Sequence, residues 1–302
     1  MTREQKSPAT ITPYPHVVNP LNVVDGVARF DSCIHNHVMV QSSWESRIRR
    51  AEEVLTVYPL SSEILGFYIS VLEFQKETFH SFSTSGVSNS SLSFDNSIPA
   101  NLTDHFSAFL AMVESAGPRL LADTARNLQI QSKNFNHELL DAFWMRYAGE
   151  QSEPTADFFA RAFLQPYAVF VRLRTGLTKL VHTPCVCPFC DRKPAAGVLR
   201  PMGEGGQRLL LCSLCLAEWE FRRILCPACG EQDPAKLAIY SAEEFNYVRV
   251  EACETCKKYL KTVDLTKNGL ADPVVDEVAS ISLDLWAQQH GYSKIQANLL
   301  QM

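Results

Sequence analysis

The sequence predicts a multi-domain α+β chain: an N-terminal α-helical domain, two tandem metal-binding units of the zinc-ribbon or rubredoxin kind, and a C-terminal helix. Three observations predict it. Eight of the ten cysteines form four Cys-x-x-Cys pairs inside residues 187–256. Apolar residues recur at helical spacing upstream of them, and a capped amphipathic run follows. Short β-like runs lie between the pairs: Val198–Leu199, Leu209–Leu211, Leu237–Tyr240 and Tyr247–Val250.

Residues 1–40 read as a loose segment, rich in Pro and polar residues over 1–20. The helical domain is placed at 41–182. Trp44, Ile48, Ala51 and Leu55 form one helical stripe. Ile64, Leu65, Phe67, Tyr68, Val71, Leu72 and Phe79 form a second, with Ser61 or Ser62 as its N-cap after Pro59. Residues 81–99, dominated by Ser and Asn, read as a loop insertion. Amphipathic helices follow over 103–116, 119–130 and 135–148, broken at Gly117-Pro118 and Gly149. Another covers 154–180, which Pro166 should interrupt or kink. The metal units occupy 183–225 and 226–268. In 269–302 a helix starts at Asp272 with Pro273 at its first position. It carries Val274, Val278, Ile281 and Leu285 as one stripe and closes at His290-Gly291.

The cysteine spacing has a chemical reason. A Cys-x-x-Cys knuckle turns the chain so that both thiolates reach one ion, and two knuckles complete a tetrahedral S4 shell. Between Cys190 and Cys212 lie 21 residues, between Cys229 and Cys253 lie 23, and between Cys215 and Cys226 only 10. The short central gap favours two sequential sites: Cys187, Cys190, Cys212 and Cys215 for one ion, Cys226, Cys229, Cys253 and Cys256 for the other. An internal repeat at offsets of 39 and 41 residues supports this pairing. Glycine after a knuckle suits a positive φ. Gly230 fits that rule, and Asp191 tolerates it better than most other residues. A unit of about 40 residues buries too little apolar surface to be stable alone, so the metal supplies folding energy. Cys33 and Cys185 are left over, the first read as a small buried apolar residue and the second as a bystander near the site.

Other classes fit less well. A disulfide framework needs an oxidising compartment, and the N-terminus shows no apolar signal-peptide core. A thioredoxin-type pair needs one Cys-x-x-Cys in a βαβ setting, not four in register. No run of 18 apolar residues exists, so no membrane span is expected. The composition is that of a soluble globular protein, 46% hydrophobic and 20% charged with net charge −5. Residues 183–270 hold 12 Lys/Arg against 11 Asp/Glu. That near-neutral balance disfavours nucleic acid as a partner, since phosphate binding needs a basic face. No phosphate loop, nucleophile elbow or His-Glu-x-x-His is present. His35, His37, His80, His105 and His137 lack partner motifs. Filled S4 shells leave no open position for metal catalysis. Tetrahedral thiolate accepts zinc or iron, and structural zinc is the commoner occupant of ribbons.

The run from Phe158 to Tyr167, Cys187-Pro-Phe-Cys190, Gly206-Gln-Arg-Leu-Leu-Leu-Cys212-Ser-Leu-Cys215, Glu218-Trp-Glu-Phe-Arg222, Cys226-Pro-Ala-Cys229-Gly and Glu251-Ala-Cys253-Glu-Thr-Cys256-Lys-Lys-Tyr-Leu together resemble the formate dehydrogenase accessory protein family FdhE. Arg47 to Ala51 and Leu72 to Gln75 resemble that family's N-terminal helices. The resemblance covers about residues 40–290. Asp191 in place of glycine and the Ser/Asn-rich stretch depart from the family pattern, and neither removes a ligand. The resemblance implies a cytoplasmic, non-catalytic factor needed for assembly or activity of respiratory formate dehydrogenase. It implies as partner the molybdenum-containing catalytic subunit of that enzyme, and it admits a homodimer. It implies rubredoxin-like sites with iron favoured and zinc as the other candidate, the ligands being the eight paired cysteines. The alternatives are a zinc-ribbon nucleic-acid-binding protein and a rubredoxin-like electron-transfer protein.

Overall fold

The computed structural model describes residues 11–13, 44–84, 92–146, 154–175 and 185–301. Its upstream part is helical: α1 Trp44–Val57, α2 Ser62–Thr84, α3 Phe106–Ala116, α4 Arg119–Gln129, α5 Lys133–Trp144 and α6 Pro154–Thr175. Cys33, His35, His37 and Gly149, singled out above, lie outside the described residues. Phe158, Phe159 and Phe163 of α6 pack with Phe67 and Phe74 of α2 and Phe106 and Phe109 of α3. All but the half-buried Phe74 are fully or nearly buried, and together these rings form the core of the helical layer.

Two local expectations change. Ser61 does not cap α2; its hydroxyl donates to the Ala279 carbonyl at 2.5 Å, tying this turn to the far end of the chain. Helix α6 is not interrupted at Pro166. Proline lacks an N–H and so orphans the carbonyl four residues back, Ala162. Gln75 of α2, fully buried, donates its Nε2 to that carbonyl at 2.7 Å. A side chain from the neighbouring helix thus replaces the missing backbone donor. Gln75→Leu is expected to cost about 1–3 kcal/mol, because a buried carbonyl loses its partner. Pro166→Ala should return the helical donor and shrink that penalty, a coupling that urea denaturation of the four-member cycle measures.

Downstream lies one eight-stranded sheet, built from β1 Ile11–Pro13, β2 Pro194–Met202, β3 Gly205–Cys212, β4 Glu218–Glu220, β5 Leu237–Ala242, β6 Val248–Cys253, β7 Lys258–Asp264 and β8 Ser293–Lys294. The strand order is β1-β5-β6-β7-β2-β3-β4, with β8 beside β7. The two hairpin units are therefore joined edge to edge. Their seam is a parallel ladder in which Gly197, Val198 and Leu199 face Thr262, Val263 and Asp264. Gly197 is required there, since a Cβ would lie 2.2 Å from Thr262 Oγ1. Within the segment read as loose, Ile11–Pro13 pairs antiparallel with β5.

The C-terminal run forms two helices rather than one, α7 Pro273–Ala279 and α8 Ile281–Gln289, divided at Ser280. Asp272 caps α7 as expected, its carboxylate accepting from the Val274 and Val275 amides. The break rotates the stripe: Val275, Val278, Ala279, Leu283 and Ala287 are buried, while Leu285 is exposed. Asp276 of α7, fully buried, takes a two-point contact from Arg50 of α1 at 2.7 and 3.0 Å. The Tyr247 hydroxyl donates to the same carboxylate at 2.8 Å. Helix, sheet and C-terminal helices meet at this lock.

Candidate metal centres

The knuckles form where strands begin or end. Cys187/Cys190 precede β2, Cys212/Cys215 follow β3, Cys226/Cys229 precede β5, and Cys253/Cys256 separate β6 from β7. In every knuckle the residue four beyond the first cysteine has a positive φ: Asp191 at 57°, Leu216 at 55°, Gly230 at 79° and Lys257 at 55°. The amides of Asp191, Gly230 and Lys257 donate back to the carbonyls of Cys187, Cys226 and Cys253 at 2.9–3.0 Å. The left-handed residue closes the turn that aims both sulfurs at one point. Only glycine signals this conformation in a sequence, so Leu216 and Lys257 carry no such mark.

The eight paired cysteines gather as two quartets, each with its sulfurs within 4.8 Å of one another. In the first quartet, Sγ of Cys187 lies 3.5 Å from Cys215, and that of Cys190 lies 3.4 Å from Cys212 and 3.6 Å from Cys215. In the second, Cys226 lies 3.8 Å from Cys256 and Cys229 lies 3.7 Å from Cys253. Sulfurs at about 2.3 Å from a tetrahedral metal sit about 3.8 Å apart. A disulfide needs about 2.05 Å. The spacing therefore suits a shared ion. Backbone amides of Phe189, Leu214 and Ala228 point at Cys187, Cys212 and Cys226 sulfurs at 3.3–3.5 Å. Such donors spread the charge of clustered thiolates. Burial pushes the Cys187, Cys215 and Cys226 thiols up, while at Cys212 and Cys253 burial is outweighed by hydrogen bonds that hold the thiol down. A cation shared by each quartet would let all four of its sulfurs be thiolates. The residues present fit two metal ions, and the ions would cross-link the strand ends.

The quartets differ in their surroundings. In the first, Cys187, Cys212 and Cys215 are 0% exposed, and the hairpin from Leu211 to Ala217 is buried throughout. Helices α5 and α6 cover it. Arg172 Nε donates to the Cys215 carbonyl at 3.0 Å and Gln165 Nε2 to the Ser213 carbonyl at 3.4 Å. Arg192, just after the first knuckle, reaches the Phe143 and Trp144 carbonyls at 2.5 and 3.1 Å. Its guanidinium lies over the Phe143 ring. Arg161 of α6 donates to the Ala297 and Asn298 carbonyls, and burial lowers its guanidinium to about 10. The cysteine pattern alone gave no sign of these four polar residues.

In the second quartet Cys226 and Cys253 are buried, Cys256 is half-buried and Cys229 is exposed. Its neighbours Ala228, Gly230, Thr255 and Lys257 are exposed as well. Glu231 accepts from Thr255 Oγ1 and from two backbone amides, which hold its carboxyl down at about 2. The segment between the quartets is held by Arg208, nearly buried, which donates to the Arg222 and Leu225 carbonyls and pairs with Glu251 at 2.5 Å. Cys185 belongs to neither quartet. It precedes the first knuckle in sequence, yet burial and the neighbouring Cys229 of the second quartet together raise its thiol. His137, read above as isolated, shares a hydrogen bond with Thr103.

Models described as "FdhE, central domain" and "FdhE, C-terminal domain" match residues 186–223 and 224–301. A protein named "Protein FdhE homolog" from Aquifex aeolicus is 27% identical over 283 residues, covering 87% of this chain and 97% of its own length. A protein of the same name from Pseudomonas aeruginosa is 37% identical over 135 residues, 42% of this chain and 43% of its own. The crystal structure of the FdhE protein from Pseudomonas aeruginosa superposes with a TM-score of 0.61. It covers 86% of this chain and 95% of that one at 22% identity, a likeness of fold.

Proposed function

Since the chain belongs to the FdhE family, we propose that it is a non-catalytic accessory factor in the maturation of formate dehydrogenase, binding the catalytic subunit of that enzyme in the cytoplasm. The observation that carries the reading is the pair of cysteine quartets, each closed by four protein sulfurs. A shell of four protein ligands has no position for substrate, so its ion fixes a surface rather than performing chemistry. The surface in question is the sheet and the helices that the two ions would clip together. If iron occupies the quartets, loss or gain of one electron changes the charge of a site by one unit, which matters most beside a partly desolvated interface.

Affinity capture under anaerobic conditions, with metal analysis of the eluate, tests the reading. The expected result is formate dehydrogenase catalytic subunit in the eluate together with two metal equivalents per chain. Two metal equivalents with no such subunit, and salt-sensitive retention of DNA or RNA in its place, would turn the reading towards a nucleic-acid-binding ribbon protein.

A further inference from the structure

The two quartets offer their metals very different escape routes. A chelator, a competing thiol or an acceptor protein removes a thiolate-bound ion stepwise, entering where a ligand can be displaced into solvent. In the first quartet three sulfurs have no exposure, and the fourth, Cys190, is half-buried. The turn that carries Cys212 and Cys215 lies beneath α6, pinned through Arg172 and Gln165. Displacing any of the three buried ligands there requires the helical layer to lift from the sheet, a sub-global opening. In the second quartet Cys229 stands exposed beside Gly230, and Cys256 is half-buried between exposed Thr255 and Lys257. Among the described residues, no helix side chain is hydrogen-bonded to that knuckle pair. Two ligands, one from each knuckle, can swing out while Cys226 and Cys253 keep hold.

The framework around the second quartet also has supports other than an ion. Strands β5, β6 and β7 are laddered over ten residue pairs. The Arg208–Glu251 contact ties β6 to β3. The Tyr292 hydroxyl donates to Glu254 inside the last knuckle, and Lys257 sits over the Tyr292 ring. The residues around Cys226, Cys229, Cys253 and Cys256 are therefore placed by strand pairing and by the C-terminal segment as well as by their sulfurs.

We propose that the quartets divide their labour: Cys187, Cys190, Cys212 and Cys215 form a permanent staple, and Cys226, Cys229, Cys253 and Cys256 form an exchangeable site that takes up and releases a divalent metal ion while the chain stays folded. The inference rests on the reading that both quartets hold metal. It makes the exposed knuckles, Cys226 to Cys229 and Cys253 to Cys256, the place where metal supply or an oxidant acts on this protein.

The test uses the full chain loaded with zinc under anaerobic conditions and challenged with a colorimetric chelator. Release should be biphasic, one equivalent leaving at least about tenfold faster than the other. Far-ultraviolet circular dichroism should hold steady through the fast phase. Iodoacetamide added during that phase should label Cys229 and Cys256 ahead of Cys187, Cys212 and Cys215, as read by peptide mass spectrometry. Labelling is done on the unmodified sequence, so no variant has to fold for the assignment. A single release rate for both equivalents, or early labelling of the first quartet, overturns the division. A preparation holding one equivalent supports it when the protected cysteines are those of the first quartet, and overturns it when they are those of the second. A chain that takes up no zinc or iron on reconstitution overturns the metal reading itself.

Discussion

Cys215→Ser is expected to lose one of two metal equivalents and more than about 4 kcal/mol of stability, lowering the melting temperature by at least about 10 °C. The size follows from what rests on that sulfur. Cys215 is fully buried, its carbonyl receives Arg172 of α6, and the turn it belongs to receives Gln165. Freeing one side of the turn exposes the two remaining buried sulfurs, Cys187 and Cys212, and loosens the contact between helices and sheet. Thermal melts followed at 222 nm, paired with metal analysis, provide the check. Cys229→Ser serves as the comparison: it too should lose one equivalent, yet melt within a few degrees of the parent. Equal melting of the two variants would show that the first quartet holds nothing the second does not.

Lys261→Met is expected to cost about 3–5 kcal/mol in urea denaturation, the usual penalty for breaking a buried ion pair on one side. Lys261 is fully buried on β7, with Nζ 2.5 Å from Asp284 and 3.1 Å from Glu277. It also donates to the Glu277 and Ser280 carbonyls. Lys294 contacts the same two carboxylates, and the Tyr259 hydroxyl donates to Asp284 at 2.7 Å. Two cations and two anions cancel inside the protein, so removal of one leaves a net buried charge. Lys261→Met combined with Asp284→Leu restores neutrality and should recover much of the loss. The pH dependence has a definite sign. Burial works to raise the Asp284 carboxyl, but Lys261 and Lys294 outweigh it and hold the group below its ordinary value. A folded-state value below the unfolded one gives stability that is present above the ordinary carboxylate range and lost as pH falls through it. The gap between parent and Lys261→Met should therefore narrow on acidification.

The helical layer and the eight sulfurs were legible because each rests on a local rule. Helices declare themselves by apolar spacing, and knuckles by two cysteines three positions apart. What stayed hidden depends on partners distant in sequence. Pro166 looked like a helix break because its remedy, Gln75, comes from another helix. The parallel seam between Val198 and Val263 has no signature, since either strand alone reads as an ordinary hairpin arm. One C-terminal helix became two at Ser280, whose carbonyl and hydroxyl both accept from the distant Lys261. Nothing local in the sequence marks Asp276, Glu277 and Asp284 as buried, because the cations that neutralise them, Arg50, Lys261 and Lys294, come from other elements. The unequal exposure of the quartets was equally invisible, because their spacings are nearly the same.

The Arg50–Asp276 lock spans 226 positions of chain. A ribosome delivers α1 long before α7. The upstream helices can collapse on their phenylalanines while translation continues, but Arg50 then waits, with its final acceptor not yet made. Closing so long a loop adds little further entropy penalty compared with a shorter one, so the delay is one of order rather than of energy. Chains that stop before Asp276 would lack this lock between α1 and the C-terminal helices. Synthesis of α7 is thus written into the architecture as the event that seals the lock.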